Sequence, residues 1–198
     1  PVVLNAQEIS ELVSNIAQDL NYQTVYSQSN LFRKGDAIQK EPQGDPIGIT
    51  MAGQVPGSVR SSRFDSDGLS LGSIRLVENG KALNYYGSSR YGQYLQEKPT
   101  GNLPCLVLDA GTASLPQGAY LEVVSMSGLQ VDFYSDYIGG EVRLAYYFDG
   151  EKITPVTGIS ISGQLGQVLN HIRFSTETTV FDGYSGPDKA ILSGMKIF

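Results

Sequence analysis

The stretch at residues 149–172, DGEKITPVTGISISGQLGQVLNHI, constrains the fold more than any other part of the sequence, because its period changes within one continuous run. Asp149-Gly150 is a turn dipeptide of the kind that closes two-residue hairpins, since its backbone tolerates positive φ. Ile153, Val156, Ile159 and Ile161 then read as a strand, which Gly163 ends. Leu165, Val168, Leu169 and Ile172 recur at helical spacing and predict a short helix over residues 165–172. Residues 142–148 precede the turn and pair across it with residues 153–157. None of these side chains is an acid, base or nucleophile poised for chemistry.

The rest of the chain follows the same grammar of short elements and tight turns. Asn5, followed three residues on by Glu8, has the pattern of a capping box. Ile9, Leu12, Val13, Ile16 and Leu20 then form one apolar stripe, so residues 6–20 are predicted as an amphipathic helix facing the core. Residues 32–39 read as a short helical or strand segment, and residues 47–51 as a short strand. Residues 53–62 form the best candidate for a mobile loop, either a solvated connection or a flap over a groove. Ile74 and Leu76, then Glu78-Asn79-Gly80-Lys81, then Leu83 and Tyr85 form a hairpin with an Asn-Gly turn. A short helix is predicted over 88–95, capped by Ser88 or Ser89. Strands follow at 106–108, 119–125 and 130–134, with a last one at 190–197. The sum is eight to ten short strands clustered in hairpins and two or three helices. That is an α+β fold, mainly antiparallel, read as a single domain over residues 1–198.

Composition agrees. Hydrophobic residues make up 40% of the 198, enough for a core, and 23 glycines with 12 Tyr, 7 Phe and no Trp favour strands joined by tight turns. The net charge of −6 comes without a basic stripe, so nucleic acid is not expected as a partner. No apolar run approaches the roughly 20 residues that span a bilayer, and no secretory signal opens the chain. Membrane partners are therefore not expected either.

One cysteine, Cys105, and one histidine, His171, limit the chemistry. No intramolecular disulfide can form, which fits a reducing compartment and a cytoplasmic location. A catalytic zinc needs about three protein ligands and a structural one about four, so a self-contained zinc site is not expected. Asp65 and Asp67 in RFDSDG read as an Asx-turn, since an EF-hand loop starting there would put Leu76 where its final Glu belongs. Asp132, Asp136 and Glu141 are interleaved with Phe133, Tyr134 and Tyr137 ahead of Gly139-Gly140. This cluster reads either as a solvated turn with tyrosines on a sheet, or as a peptide-binding strand edge. Phe133, Asp136, Gly139 and Gly140 are its candidate substrate-binding residues. Cys105 reads as a small buried hydrophobe and His171 as a surface or packed side chain. A free-standing hydrolase using Asp132, Asp136 or Cys105 ranks last, and no catalytic residue is assigned.

Several segments, in order, resemble the C-terminal half of the TldD/PmbA family, the modulators of DNA gyrase related to a two-subunit metallopeptidase. PVVLNAQEISELV resembles the family's entry into this half. SSRFDSDGLSLGSIRLVENGKALNYYGSSRYGQYL resembles its Asp-x-x-Gly turn, hairpin and short Ser/Arg helix. KPTGN resembles its STGN signature, and FDGEKITPVTGISISGQLGQVLNHI and GYSGPDKAILSGMKI resemble its closing segments. The resemblance implies an N-terminal half ahead of this one, where the zinc-bearing subunit carries an HExxxH helix. That subunit also offers a cysteine late in this half, where this chain has Asp182 to Pro187 and no Cys. The chain thus resembles the PmbA (TldE) type, the partner without zinc. The implied role is peptide processing or proteolysis of unfolded peptides in a cytoplasmic heteromer, with a TldD-like zinc subunit or a second copy of itself. No cofactor is expected in this chain, and zinc only in the partner. The alternative is a peptide-binding or assembly module with no catalytic role.

Overall fold

The computed structural model describes residues 1–198 and contains fifteen strands and four α-helices. β1 (Val2–Asn5) runs directly into α1 (Ala6–Asp19), and α2 (Tyr22–Tyr26) follows. Next come β2 (Ile49–Ala52), β3 (Ser73–Glu78), β4 (Lys81–Ala82), α3 (Ser89–Leu95) and β5 (Cys105–Leu108). A meander of β6 (Tyr120–Met126), β7 (Gln130–Asp132), β8 (Tyr137–Phe148), β9 (Ile153–Val156) and β10 (Ile159–Gln164) leads into α4 (Leu165–His171). The chain closes with β11 (Arg173–Phe174), β12 (Thr178–Phe181), β13 (Tyr184–Pro187), β14 (Lys189–Leu192) and β15 (Lys196–Ile197).

Two sheets result. The nine-stranded sheet runs β11-β14-β1-β6-β8-β10-β15, with β7 and β9 also paired to β8. The six-stranded sheet runs β12-β13-β5-β2-β3-β4. Only β1–β6 and β13–β5 are parallel pairs, so the α+β, mainly antiparallel class expected from the sequence is what forms. α1 packs against β1 and β14 of the larger sheet and against β2, β5, β12 and β13 of the smaller. Its stripe of Ile9, Leu12, Val13, Ile16 and Leu20 is wholly buried. The outward face, with Gln7, Ser14, Asn15 and Gln18, stays in water, while Glu8 and Asp19 are buried with the apolar stripe.

Several local expectations change. Asn79 and Gly80 both take positive φ, the two-residue hairpin geometry that Asn-Gly favours. Asp149-Gly150, by contrast, opens a four-residue loop, because Phe148 pairs with Ile153 and the Asp149 carboxylate accepts from the N–H groups of Glu151 and Lys152. The predicted strand beyond it splits at Gly158 (φ +66°) into β9 and β10, which line up on the same strand, β8. Gly163 does not end β10, which continues to Gln164. The closing strand likewise splits at Gly194 into β14 and β15. Residues 32–39 are neither helix nor strand, apart from a single bridge between Ala37 and Lys81.

Residues 53–62 pack tightly. Ser61 Oγ donates to Val55 O and accepts from Val55 N (2.8 and 2.9 Å), and Ser58 Oγ donates to Asp182 O at 2.6 Å. This loop covers Cys105, which forms with Ala52 and Val55 a small cluster separate from the main core.

Candidate functional site

The turn between β7 and β8 is built by its own acids. Asp132 accepts from the N–H groups of Tyr134 and Ser135 and from Ser135 Oγ, an Asx-turn that pulls the Asp132 carboxyl below its usual range. Asp136 closes the turn in the left-handed region (φ +53°), which short Asx side chains tolerate. Its Oδ1 accepts from Gly166 N at 2.6 Å, and its carbonyl accepts from Leu165 N at 3.0 Å. Gln164, the residue at the start of α4, makes no side-chain cap, so Asp136 caps that helix from a distant turn.

Opposite the turn lies the irregular segment 31–40, held from below by two buried polar side chains. The Asp19 carboxylate accepts from Leu31 N and Phe32 N at 2.8 and 2.9 Å. Burial raises the Asp19 carboxyl above its usual range, and these two N–H groups hold it down in part. Gln39 donates to Leu169 O (2.6 Å) and Asp45 O (3.1 Å) and accepts from Ile47 N (2.8 Å), so one amide ties this segment to α4. Phe32 meets Phe133 edge to face at 5.3 Å, and Tyr134 donates to Ser29 O at 2.8 Å.

Between α4, segment 31–40 and the turn is a cavity of about 420 Å³. Phe32, Ile38, Phe133, Leu165 and Leu169 give it an apolar wall, and its polar lining includes Lys40, Asp136 and Asn170. A mostly apolar concavity of this size with a few polar groups is the usual form of a small-ligand or side-chain pocket.

Two of the four sequence-derived candidates, Phe133 and Asp136, therefore meet at this cavity. The other two do not reach it. Gly139 and Gly140 lie inside β8, where Gly139 is paired to Gln130 on one side and Ser162 on the other, leaving no free strand edge. They are glycines because the backbone closes in: a Cβ on Gly139 would sit 2.4 Å from Ile161 O, and one on Gly140 2.4 Å from Gly128 O. Asp65 forms an Asx-turn, accepting from Asp67 N and Leu69 N through Oδ1, while its Oδ2 takes Asn102 N of the KPTGN segment. His171 is exposed, with Nδ1 2.9 Å from Gln167 O.

The sequence matches the family described as PmbA/TldA metallopeptidase C-terminal domain over residues 1–197. The chain belongs to the PmbA/TldD family. No curated protein sequence is significantly similar to it. Among solved structures it resembles TldE from Thermococcus kodakarensis (TM-score 0.81, 15% identity, 99% of this chain and 49% of that one). It also resembles two proteins provisionally named modulators of DNA gyrase. One is from Bacteroides thetaiotaomicron (0.77, 16%, 99% and 46%), the other from Thermotoga maritima (0.73, 16%, 100% and 49%). The chain thus spans about half the length of these relatives, and at such identities the likeness is one of fold.

The PmbA/TldD family description implies a metal, and the donors of this chain do not fit one. No three of its His, Cys, Asp and Glu side chains come together. Cys105 is sealed under Val55, Asp132 is taken up by Tyr134 N, Ser135 N and Ser135 Oγ, and Asp136, with one oxygen on Gly166 N, stands in no cluster of ligating side chains. No helix is long and apolar enough to cross a membrane.

Proposed function

We propose that this chain is the C-terminal domain of a PmbA/TldE-type subunit, working in a cytoplasmic peptidase assembly with a TldD-like partner that holds the zinc. Its own part is to bind unfolded peptide and to shape the chamber and the interface. The observation that carries this reading is the Phe32–Phe133–Leu169 cavity, which offers an apolar side-chain pocket with no metal-ligand set beside it. In such a division of labour a partner that holds the metal would supply the activated water, and this chain would position the peptide. The net charge of −6 opposes direct binding to a phosphate backbone, whatever the gyrase name of two relatives suggests.

The test is a peptide-cleavage assay and a metal analysis on the chain alone and then mixed with a TldD-like subunit. The chain alone is expected to cleave nothing. Stoichiometric zinc with turnover on the chain by itself would sink the proposal.

A further inference from the structure

The cavity's lining contains one cation and one anion, Lys40 and Asp136. Neither enters an ion pair within the chain. Lys40 is exposed and enters no ion pair, while the four pairs that do form lie elsewhere. Asp136 spends Oδ1 on Gly166 N and leaves Oδ2 without a partner. Asn170 uses Oδ1 to accept from Glu41 N at 3.3 Å, so its amide N–H groups stay available as donors. The same lining carries the apolar side chains of Phe32, Ile38, Phe133, Leu165 and Leu169, and Asp19 and Gln39 hold segment 31–40 in place.

An apolar space with opposite charges on its lining is complementary to a molecule of the same dipolar plan. Free peptide termini have it at neutral pH, where the α-amino group is cationic and the α-carboxyl group anionic. We infer that the cavity binds a short apolar peptide with both termini free, its ammonium at Asp136, its carboxylate at Lys40 and its side chain against Phe32, Phe133 and Leu169. This rests on the peptide-handling reading above and narrows it from unfolded chains to short peptides of the kind a peptidase releases. An N-acetylated, amidated peptide would fill the same apolar space but leave both charges unanswered.

Isothermal titration of the 198-residue chain with three probes decides the matter. These are Leu-Leu, N-acetyl-Leu-Leu-amide and a long reduced, carboxymethylated polypeptide. Leu-Leu is expected to bind at least tenfold more tightly than its capped form. Lys40→Gln and Asp136→Asn should each weaken Leu-Leu at least fivefold and leave the capped peptide unchanged. Both variants should fold, because Lys40 is exposed and Asn keeps the Oδ1 acceptor for Gly166 and tolerates positive φ. If the capped peptide binds as well as Leu-Leu, or only the long polypeptide binds, the charge-paired site is wrong while peptide binding stands. If none of the three binds, the peptide-handling reading falls with it.

Discussion

α1 begins with a cap from its own sequence, Asn5, whose side chain accepts from Gln7 N at 2.9 Å. α4 begins with none and is closed by Asp136, thirty residues upstream. The two helices serve the same core but are specified differently. α1 is determined locally and then buried between two sheets. α4 exists as a seven-residue helix with its first N–H groups satisfied only once the β7–β8 turn has folded against it. The difference teaches where function can reside: the self-sufficient helix is scaffold, and the dependent one forms a wall of the cavity.

The sharpest way to break the comparison is to hollow out α1. Leu12→Ala is expected to cost about 3 kcal/mol in urea unfolding, since Leu12 is wholly buried. An effect below about 1 kcal/mol there would remove α1 from the centre of the core.

The second test uses Glu8, in the first turn of α1. The sequence suggested a capping box, but Glu8 does not reach back to cap. Its Oε2 is buried without a hydrogen-bond partner. Burial pushes the carboxyl up from its usual 4.5 to about 6, with Glu11 adding to the rise and backbone N–H groups and Lys189 opposing it. The folded state therefore holds this proton more tightly than the unfolded chain does. Its contribution is fully present below pH 4.5 and is lost as pH rises through about 6. Comparing wild type with Glu8→Gln across that window should show a relative loss in the wild type on the order of 2 kcal/mol, flat at higher pH. A difference independent of pH would mean that the carboxylate is solvated.

Asp136→Ala comes next. It removes the cap on α4 and puts a less tolerant residue at positive φ, at an expected cost of about 1.5 kcal/mol, with faster hydrogen exchange at Gly166 N. Asp136→Asn should stay within about 0.5 kcal/mol of wild type. Asn5→Ala is the smallest of the alanine effects, about 1 kcal/mol, with the exchange change confined to the first turn of α1. If Asn5→Ala also loosened Gly166, the two helix starts would be coupled and the contrast between them would fail.

Elements fixed by near neighbours were legible in the sequence. The stripe of α1, the Asn79-Gly80 turn and the spacing of Leu165, Val168 and Leu169 all report contacts within a few residues. Phe133 and Asp136 could be singled out as an aromatic–acid cluster, but Asp136's partner Gly166 could not, because nothing near Asp136 in sequence encodes that hydrogen bond. The same holds for the wall at 31–40, whose shape depends on Asp19 and on Gln39 reaching Leu169 O. Gly139-Gly140 stood in the sequence as part of a cluster read as a solvated turn or a peptide-binding strand edge. Here they mark close backbone packing inside β8, and only the finished sheet explains them. α2 carries a local signal of the same kind as α1, since Asn21 accepts from Gln23 N as Asn5 does from Gln7 N.

The strand that opens the described chain sits in the middle of the larger sheet, between β6 and β14. Val2 is paired to Leu192 and Val3 to Ile191, nearly the full sequence apart. During synthesis this strand emerges well before β14 and must wait for it, with Val2, Val3 and Leu4 short of that neighbour in the meantime. High contact order of this kind slows folding and prolongs the life of an unpaired apolar edge.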